Sequence, residues 1–332
     1  MAEPQCDITV IGSGSWATAI VKLLSANTKK TGWYIHEKEI ITHIKKHGNN
    51  PRYLSDVDLD ADRLVMTSDI NKAVTLSDII ILVIPSAYLK LQLQELNTDI
   101  SSKIICSAIK GIIPGDNMIV GEYLHAQYNV PYENLIILTG PTHAEEIALE
   151  KLSYLTVAGL NEDTATRVAS LLENHYLRTV ISDDIFGTEY AAVLKNIYSI
   201  AAGICHGLGY GDNFQAVLMS NCAIEMKRFI DAIFTNDRDI KNSAYLGDLL
   251  VTGYSLFSRN RLFGNMIGQG TPVKNALLEM TMVAEGYYAS ECIHLINDKR
   301  GVDIPIAETV YRILYKKAKP GAEIEKLTYL LR

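Results

Sequence analysis

The chain has 332 residues, of which 48% are hydrophobic and 21% charged. That length suggests two domains, and that composition supports a large buried core and excludes wholesale disorder. A formal charge of −7 argues against a nucleic-acid partner, which would normally bring a basic excess.

The longest bare apolar run, Ile79–Ile84, is far short of the roughly 20 residues a membrane span needs. The opening Met1-Ala-Glu-Pro-Gln5 has no basic n-region. No integral membrane association is expected, and a cytoplasmic location is. Cys6, Cys106, Cys205, Cys222 and Cys292 are scattered without a CxxC pair, which points to buried reduced thiols rather than disulfides or a zinc site.

In chain order, Ile8–Ile11 reads as a first strand, followed by glycines and an apolar helix through Ala19, Ile20, Leu23 and Leu24. Trp33–His36, Leu64–Thr67, Ile79–Ile84, Ile104–Ala108 and Leu135–Thr139 read as further strands. Ala87–Leu96 and Met118–Gln127, between them, have helical periodicity. Continuous Ile/Val/Leu strands with helical crossovers indicate a parallel, doubly wound sheet. Ser153–Ala158 and Arg178–Ile181 add two strands, expected to be antiparallel at the sheet edge. From Glu189 onward the strand signal ends. Glu189–Ala202, Phe214–Thr235, Pro272–His294 and Ile306–Ala318 read as helices, with Asp183-Asp184 as an entry signal. The fold class is therefore an α/β Rossmann-type domain, 1–187, followed by an all-helical domain, 188–332.

The first loop, Gly12-Ser13-Gly14-Ser15-Trp16-Ala17, has the form GxGxxA between a strand and a helix. Gly12 permits a tight turn, Gly14 lets the backbone approach a pyrophosphate, and Ala17 allows close packing. The helix N-terminus supplies N–H groups and a favourable dipole. Glu37, twenty positions after Ala17, stands where an acidic residue would bind the adenosine ribose and favour NAD. His36 beside it could instead meet adenine or a 2′-phosphate. No arginine is expected there to match such a phosphate bidentately. NAD or NADP is thus expected, with a lean to NAD.

Lys195-Asn196 lies inside an apolar stretch with Val193, Leu194 and Ile197. Burial there would lower the lysine pKa toward the range of acid–base chemistry, whereas a snorkelling side chain would not. Asp248 and Thr252 are four apart and share a helix face, although Gly247-Asp248 before Leu-Leu-Val, taken alone, reads as a helix cap. Ser258-Arg-Asn-Arg261 suits phosphate recognition. Gly140-Pro-Thr-His-Ala144 and Lys110-Gly111 follow strand ends, where doubly wound sheets bind ligands.

Together these segments resemble the NAD(P)-dependent glycerol-3-phosphate dehydrogenases of the bacterial type. The likeness is carried by Gly12–Ala17, Asn50-Pro-Arg-Tyr-Leu54, Val83–Ser86, Lys110–Ile112, Gly140–Glu146, Lys195-Asn196, Gly203–Asn213, Gly247–Thr252, Ser258–Gly264 and Val283–Gly286, in that order. The resemblance implies reversible hydride transfer between dihydroxyacetone phosphate and sn-glycerol 3-phosphate, supplying phospholipid synthesis. It implies Lys195 as the proton-transfer group, assisted by Asp248. Lys110, Gly140, Thr142, Asp248, Ser258, Arg259 and Asn260 would be substrate positions. Gly12, Ser13, Gly14, Ser15, Trp16, His36, Lys110, Ala144, Arg259, Val283 and Glu285 would be cofactor positions. No metal is called for, since lysines supply the positive charge; a homodimer is suggested by analogy. Thr142 replaces the commoner serine, Gly253 replaces cysteine, Phe214-Gln215 departs from smaller and basic residues, and Thr235–Tyr245 fits poorly. Competing readings are a related β-hydroxyacid or sugar-acid phosphate dehydrogenase and a non-catalytic nucleotide sensor.

Overall fold

The computed structural model describes residues 5–255, 257–280 and 282–332. Ten strands are found among them: β1 Ile8–Ile11, β2 Thr31–Tyr34, β3 Leu64–Thr67, β4 Ile79–Leu82, β5 Ile104–Ser107, β6 Ile112–Ile113, β7 Met118–Ile119, β8 Leu135–Thr139, β9 Ser153–Gly159 and β10 Leu177–Ser182. The helices of the first part are α1 Ser15–Ser25, α2 Lys38–His47, α3 Ile70–Val74, α4 Ser86–Leu93, α5 Val120–Tyr128, α6 Ala144–Ala148 and α7 Glu162–Leu172. Those of the second are α8 Ile185–Gly207, α9 Asp212–Ile233, α10 Asp248–Tyr254, α11 Arg259–Gly268, α12 Val273–Glu279, α13 Glu285–Arg300, α14 Pro305–Tyr315 and α15 Pro320–Thr328.

Eight strands form one sheet in the order β10-β9-β8-β5-β4-β1-β2-β3. Every neighbouring pair is parallel except β8 with β9. The two edge strands thus run together but against the rest, as the sequence suggested. All residues of β1, β2 and β4 are buried, the signature of strands covered on both faces. Helix α1 follows because Ala17, Ile20, Val21 and Leu24 recur at helical spacing and are all buried. Strand β2 starts two residues earlier than its apolar run indicates, so His36 lies beyond its end and is exposed.

The chain divides into two compact units, one holding the described residues up to Ile109 with Val120–Ile185, the other Lys110–Ile119 with Phe186–Arg332. The excursion 110–119 departs from a single cut after residue 187. Its small hairpin buries Ile112 and Ile119 in the core of the second unit, and such an apolar debt of β6–β7 has no local sequence signature.

The second unit is built around α8, where Val193, Leu194, Ile197, Tyr198, Ile200 and Ile204 are fully buried. A helix apolar on all sides must be surrounded. The stretch 272–294, which reads as one helix, is two, α12 and α13; Thr281 between them is outside the described residues. Within 235–245, Arg238 is buried; it pairs with Asp231 of α9 and donates to the Phe234 carbonyl at 2.9 Å. A single π-helical turn, Ser243–Gly247, then leads into α10. At Gly253 a Cβ would stand 2.6 Å from Met219 Sδ, so the glycine lets α10 settle on α9.

Candidate active site

In the first unit, the GxGxxA loop joins β1 to α1. Gly12 has φ +137°, and a Cβ there would lie 2.5 Å from the Val83 carbonyl. Only glycine fits. At Gly14 nothing lies within 4 Å of an added Cβ, and α1 starts without a side-chain cap. The N–H groups of its first turn are left for a ligand, the arrangement that binds pyrophosphate. The Trp16 indole N–H is buried without a partner. A bound dinucleotide therefore fits the loop of Gly12, Ser13, Gly14, Ser15 and Trp16.

Ser13 donates to Glu37 Oε2 at 2.9 Å, which turns this carboxylate toward the loop. The structure corrects one reading here. Although no arginine is adjacent in sequence, Arg52 approaches Glu37 at 3.8 Å and Glu39 at 3.0 Å. It arrives from the Asn50-Pro-Arg-Tyr-Leu54 turn, whose Asn50 side chain donates to the Ser13 carbonyl at 3.1 Å. Gly140, with φ +121°, ends β8, and both the Thr142 amide and hydroxyl donate to its carbonyl, at 2.8 and 3.3 Å. Ala144 begins α6 and is buried.

In the second unit, the structure decides between a snorkelling and a buried Lys195. The residue is 4% exposed. Its ammonium donates to Asp248 Oδ1 and, at 3.0 Å, to Thr252 Oγ1. Asp248 is not the cap of α10: Gly247 holds that position, and Asp248 is the first helical residue, with φ −71° and ψ −31°. Its other oxygen takes Lys110 Nζ at 3.2 Å. Burial pushes the Lys195 ammonium down to about 7; Asp248 pulls it up, and the Lys110 charge pushes it down again. Burial would raise Asp248, but the charges of Lys110 and Lys195 outweigh it and hold the carboxyl below its ordinary value. Two cations thus share one buried anion, and the lysine beside it changes protonation near neutral pH.

Amide side chains hold this cluster. Gly286 N–H donates to Asn260 Oδ1 at 2.9 Å, Asn260 Nδ2 to Asn196 Oδ1 at 2.9 Å, and Asn196 Nδ2 to the Lys110 carbonyl at 2.6 Å. Ser258 caps α11, accepting from Arg261 N–H at 3.3 Å. Both Ser258 and Asn260 are buried and engaged within the protein, whereas Arg259 is exposed. Val283 and Glu285 lie at the entry to α13 and are half-buried. Site-forming residues that the sequence reading did not single out are Arg52 and Ser199. Arg52 bears on the nucleotide loop of the first unit and Ser199 on the lysine cluster of the second, each through distant partners; only a polar residue in an apolar helix hinted at Ser199.

A glycine loop feeding an uncapped helix in a sheet ordered 3-2-1-4-5, with a buried lysine–carboxylate cluster in a helical unit, defines a dinucleotide-dependent oxidoreductase. Comparison makes the class specific. Residues 7–165 match the NAD-dependent glycerol-3-phosphate dehydrogenase N-terminus, and residues 184–325 the corresponding C-terminus. The chain belongs to the NAD-dependent glycerol-3-phosphate dehydrogenase family. A relative from Exiguobacterium, named glycerol-3-phosphate dehydrogenase (NAD(P)+), is 36% identical over 323 residues, 97% of this chain and 94% of its own. One of the same name from Oceanobacillus iheyensis is 33% identical, covering 96% of this chain and 93% of its own. The crystal structure of glycerol-3-phosphate dehydrogenase from Coxiella burnetii superposes with a TM-score of 0.89 at 26% identity, covering 98% of this chain and 99% of that one. Among the described residues, no helix is long and apolar enough to cross a membrane.

Proposed function

We propose that this chain interconverts dihydroxyacetone phosphate and sn-glycerol 3-phosphate, using NAD or NADP. Family membership supports the substrate pair, and the observation that carries the chemistry is Lys195 paired with Asp248 inside the helical unit. A nicotinamide dinucleotide, when bound, supplies the hydride to C2 of the ketone or accepts it from the alcohol. As hydride arrives, charge builds on the carbonyl oxygen. The Lys195 ammonium stabilises that charge and donates its proton to the oxygen, completing the hydroxyl. In the reverse direction, neutral Lys195 takes that proton. Lys110 adds a second positive charge, and Asp248 keeps both lysines oriented. Arg259 is the residue proposed to grip the phosphate, whose binding positions the reacting carbon. Lys110, Gly140, Thr142, Ser258 and Asn260 complete the substrate assignment. His36, Ala144, Val283 and Glu285 complete the cofactor assignment, with a lean to NAD from Glu37. On this reading residues 1–187 bind the cofactor and 188–332 the substrate, apart from the contribution of Lys110. A cytoplasmic homodimer feeding phospholipid synthesis is part of the same reading.

The test is a substrate panel with NADH and NADPH. Dihydroxyacetone phosphate should be reduced faster than any 2-oxo or 3-oxo acid; the opposite ranking would overturn the choice of substrate. Lys195→Ala should lower turnover by orders of magnitude while NADH binding survives, and near-native turnover in that variant would remove Lys195 from the mechanism.

A further inference from the structure

Helices α8 and α11 meet backbone to backbone. A Cβ at Gly203 would stand 2.1 Å from the Arg261 carbonyl oxygen, and one at Gly207 2.4 Å from that of Asn265. From the other side, a Cβ at Gly264 would stand 2.2 Å from the Ile200 carbonyl oxygen, and one at Gly268 2.3 Å from that of Ile204. Both helices therefore present glycines four residues apart, and no side chain cushions the seam. Contacts this close do not adjust by repacking, because interiors transmit strain rather than absorb it.

One hydroxyl at the N-terminal end of this seam is unexplained by packing. Ser199 is fully buried in α8, among apolar neighbours. A buried hydroxyl is costly unless bonded, and serine is a poor helix-interior residue. Its Oγ donates to the Thr252 carbonyl at 2.9 Å and lies 2.7 Å from Ser258 Oγ. With the Ser199 proton directed to Thr252, the Ser258 hydroxyl is the donor of the second bond. A directed chain results, from Arg261 N–H to Ser258, to Ser199, to the Thr252 carbonyl. The Thr252 hydroxyl in turn accepts from Lys195, one helical turn before Ser199 on α8.

We propose that Ser199 is a positioning residue for the proton-transfer lysine. It fixes the end of α10 against α8, and so holds the Thr252 hydroxyl at the Lys195 ammonium, while tying the cap of α11 to the same point. The assignment rests on the proposed role of Lys195, but its test does not require turnover. A bond from the ammonium to Thr252 favours the charged lysine. Loosening the Thr252 turn should therefore lower the proton affinity of Lys195.

The experiment follows the titration of Lys195 by NMR in protein labelled with 13C at lysine Cε, assigned by Lys195→Arg. Ser199→Ala should lower the proton affinity of Lys195 by about tenfold, the scale of one hydrogen bond to a charged group. Ser199→Thr keeps the hydroxyl and adds a methyl group in a filled site. It should lower the melting temperature and leave the titration in place. A role in packing alone would give a different pattern, in which the titration either follows stability or moves in neither variant, and either result would overturn the proposal. If Ser199→Ala does not fold, Ser199→Cys, a weaker donor of similar size, carries the same test. Wild-type protein that fails to reduce dihydroxyacetone phosphate would refute the functional reading alone; an unmoved titration in Ser199→Ala would refute the role of Ser199 alone.

Discussion

Replacing Asp248 by asparagine removes the charge that two lysines share and keeps the shape. Lys110 Nζ lies 3.2 Å from its carboxylate, and Lys195 is in direct contact. At 3.2 Å and an effective dielectric of about 20, one such pair attracts by about 5 kcal/mol. Half of that acting on Lys195 alone corresponds to about a 100-fold change in proton affinity. In the native enzyme Lys195 loses its proton at about 7. On the role proposed for Lys195, ketone reduction draws on the ammonium and should therefore fall as pH rises through 7, while alcohol oxidation, drawing on the amine, should rise. In Asp248→Asn the burial of Lys195 and its repulsion by Lys110 act unopposed, so the reduction limb moves to lower pH. At pH near 7.5 reduction should be about 100-fold slower, with NADH affinity by fluorescence within about twofold of native. Stability should also drop, since breaking a buried pair typically costs about 3–5 kcal/mol, and urea unfolding of the same preparation measures that separately. A reduction limb at the native pH or above it would show that Asp248 does not sustain the charge on Lys195.

Three further outcomes are expected. Arg259→Ala should raise the KM for dihydroxyacetone phosphate by at least about tenfold, the scale of a lost charge-assisted contact; an unchanged KM would remove it from phosphate binding. Glu37→Gln should shift relative affinity toward NADPH by about tenfold or more, because repulsion of a 2′-phosphate is relieved while Arg52 stays nearby; equal loss for both cofactors in fluorescence titrations would refute this. Glu225, buried on α9, accepts N–H bonds from Ile306 and Ala307 at 2.7 and 2.9 Å, yet burial raises it from 4.5 to about 7 against those bonds. The native state then holds a proton that the unfolded chain releases between those values, so stability should fall by about 3 kcal/mol as pH rises from 4.5 to beyond 7. Urea unfolding should show this slope in the native protein and its loss in Glu225→Gln; the same slope in both would place it elsewhere.

Local pattern was enough for most of the framework. Buried strands announce themselves as unbroken Ile/Val/Leu runs, and a glycine with φ +137° beside a neighbouring carbonyl has no substitute, so the nucleotide loop was legible as written. Lys195 was legible too, as an ammonium in an apolar helix, but its environment was not: a snorkelling and a buried lysine have the same sequence. Where a local run is ambiguous, context decided. The stretch 272–294 breaks into α12 and α13, and Asp248, which reads as a cap, turns to two lysines.

The sequence by itself determined a doubly wound sheet with two reversed edge strands, a dinucleotide loop, a helical second half and a lysine set within an apolar helical stretch. These depend on periodicity and on residues close in the chain. Only the tertiary structure decided which charges meet. Lys110 reaches Asp248 across 138 positions and Lys195 reaches it across 53; Arg52 comes to Glu37 from a separate turn. The same holds for residues 110–119 joining the second unit and for the glycine seam that brings α11 onto α8. The physical reason is that a pKa, an ion pair and a helix contact are set by burial and distance in space, which no local pattern encodes.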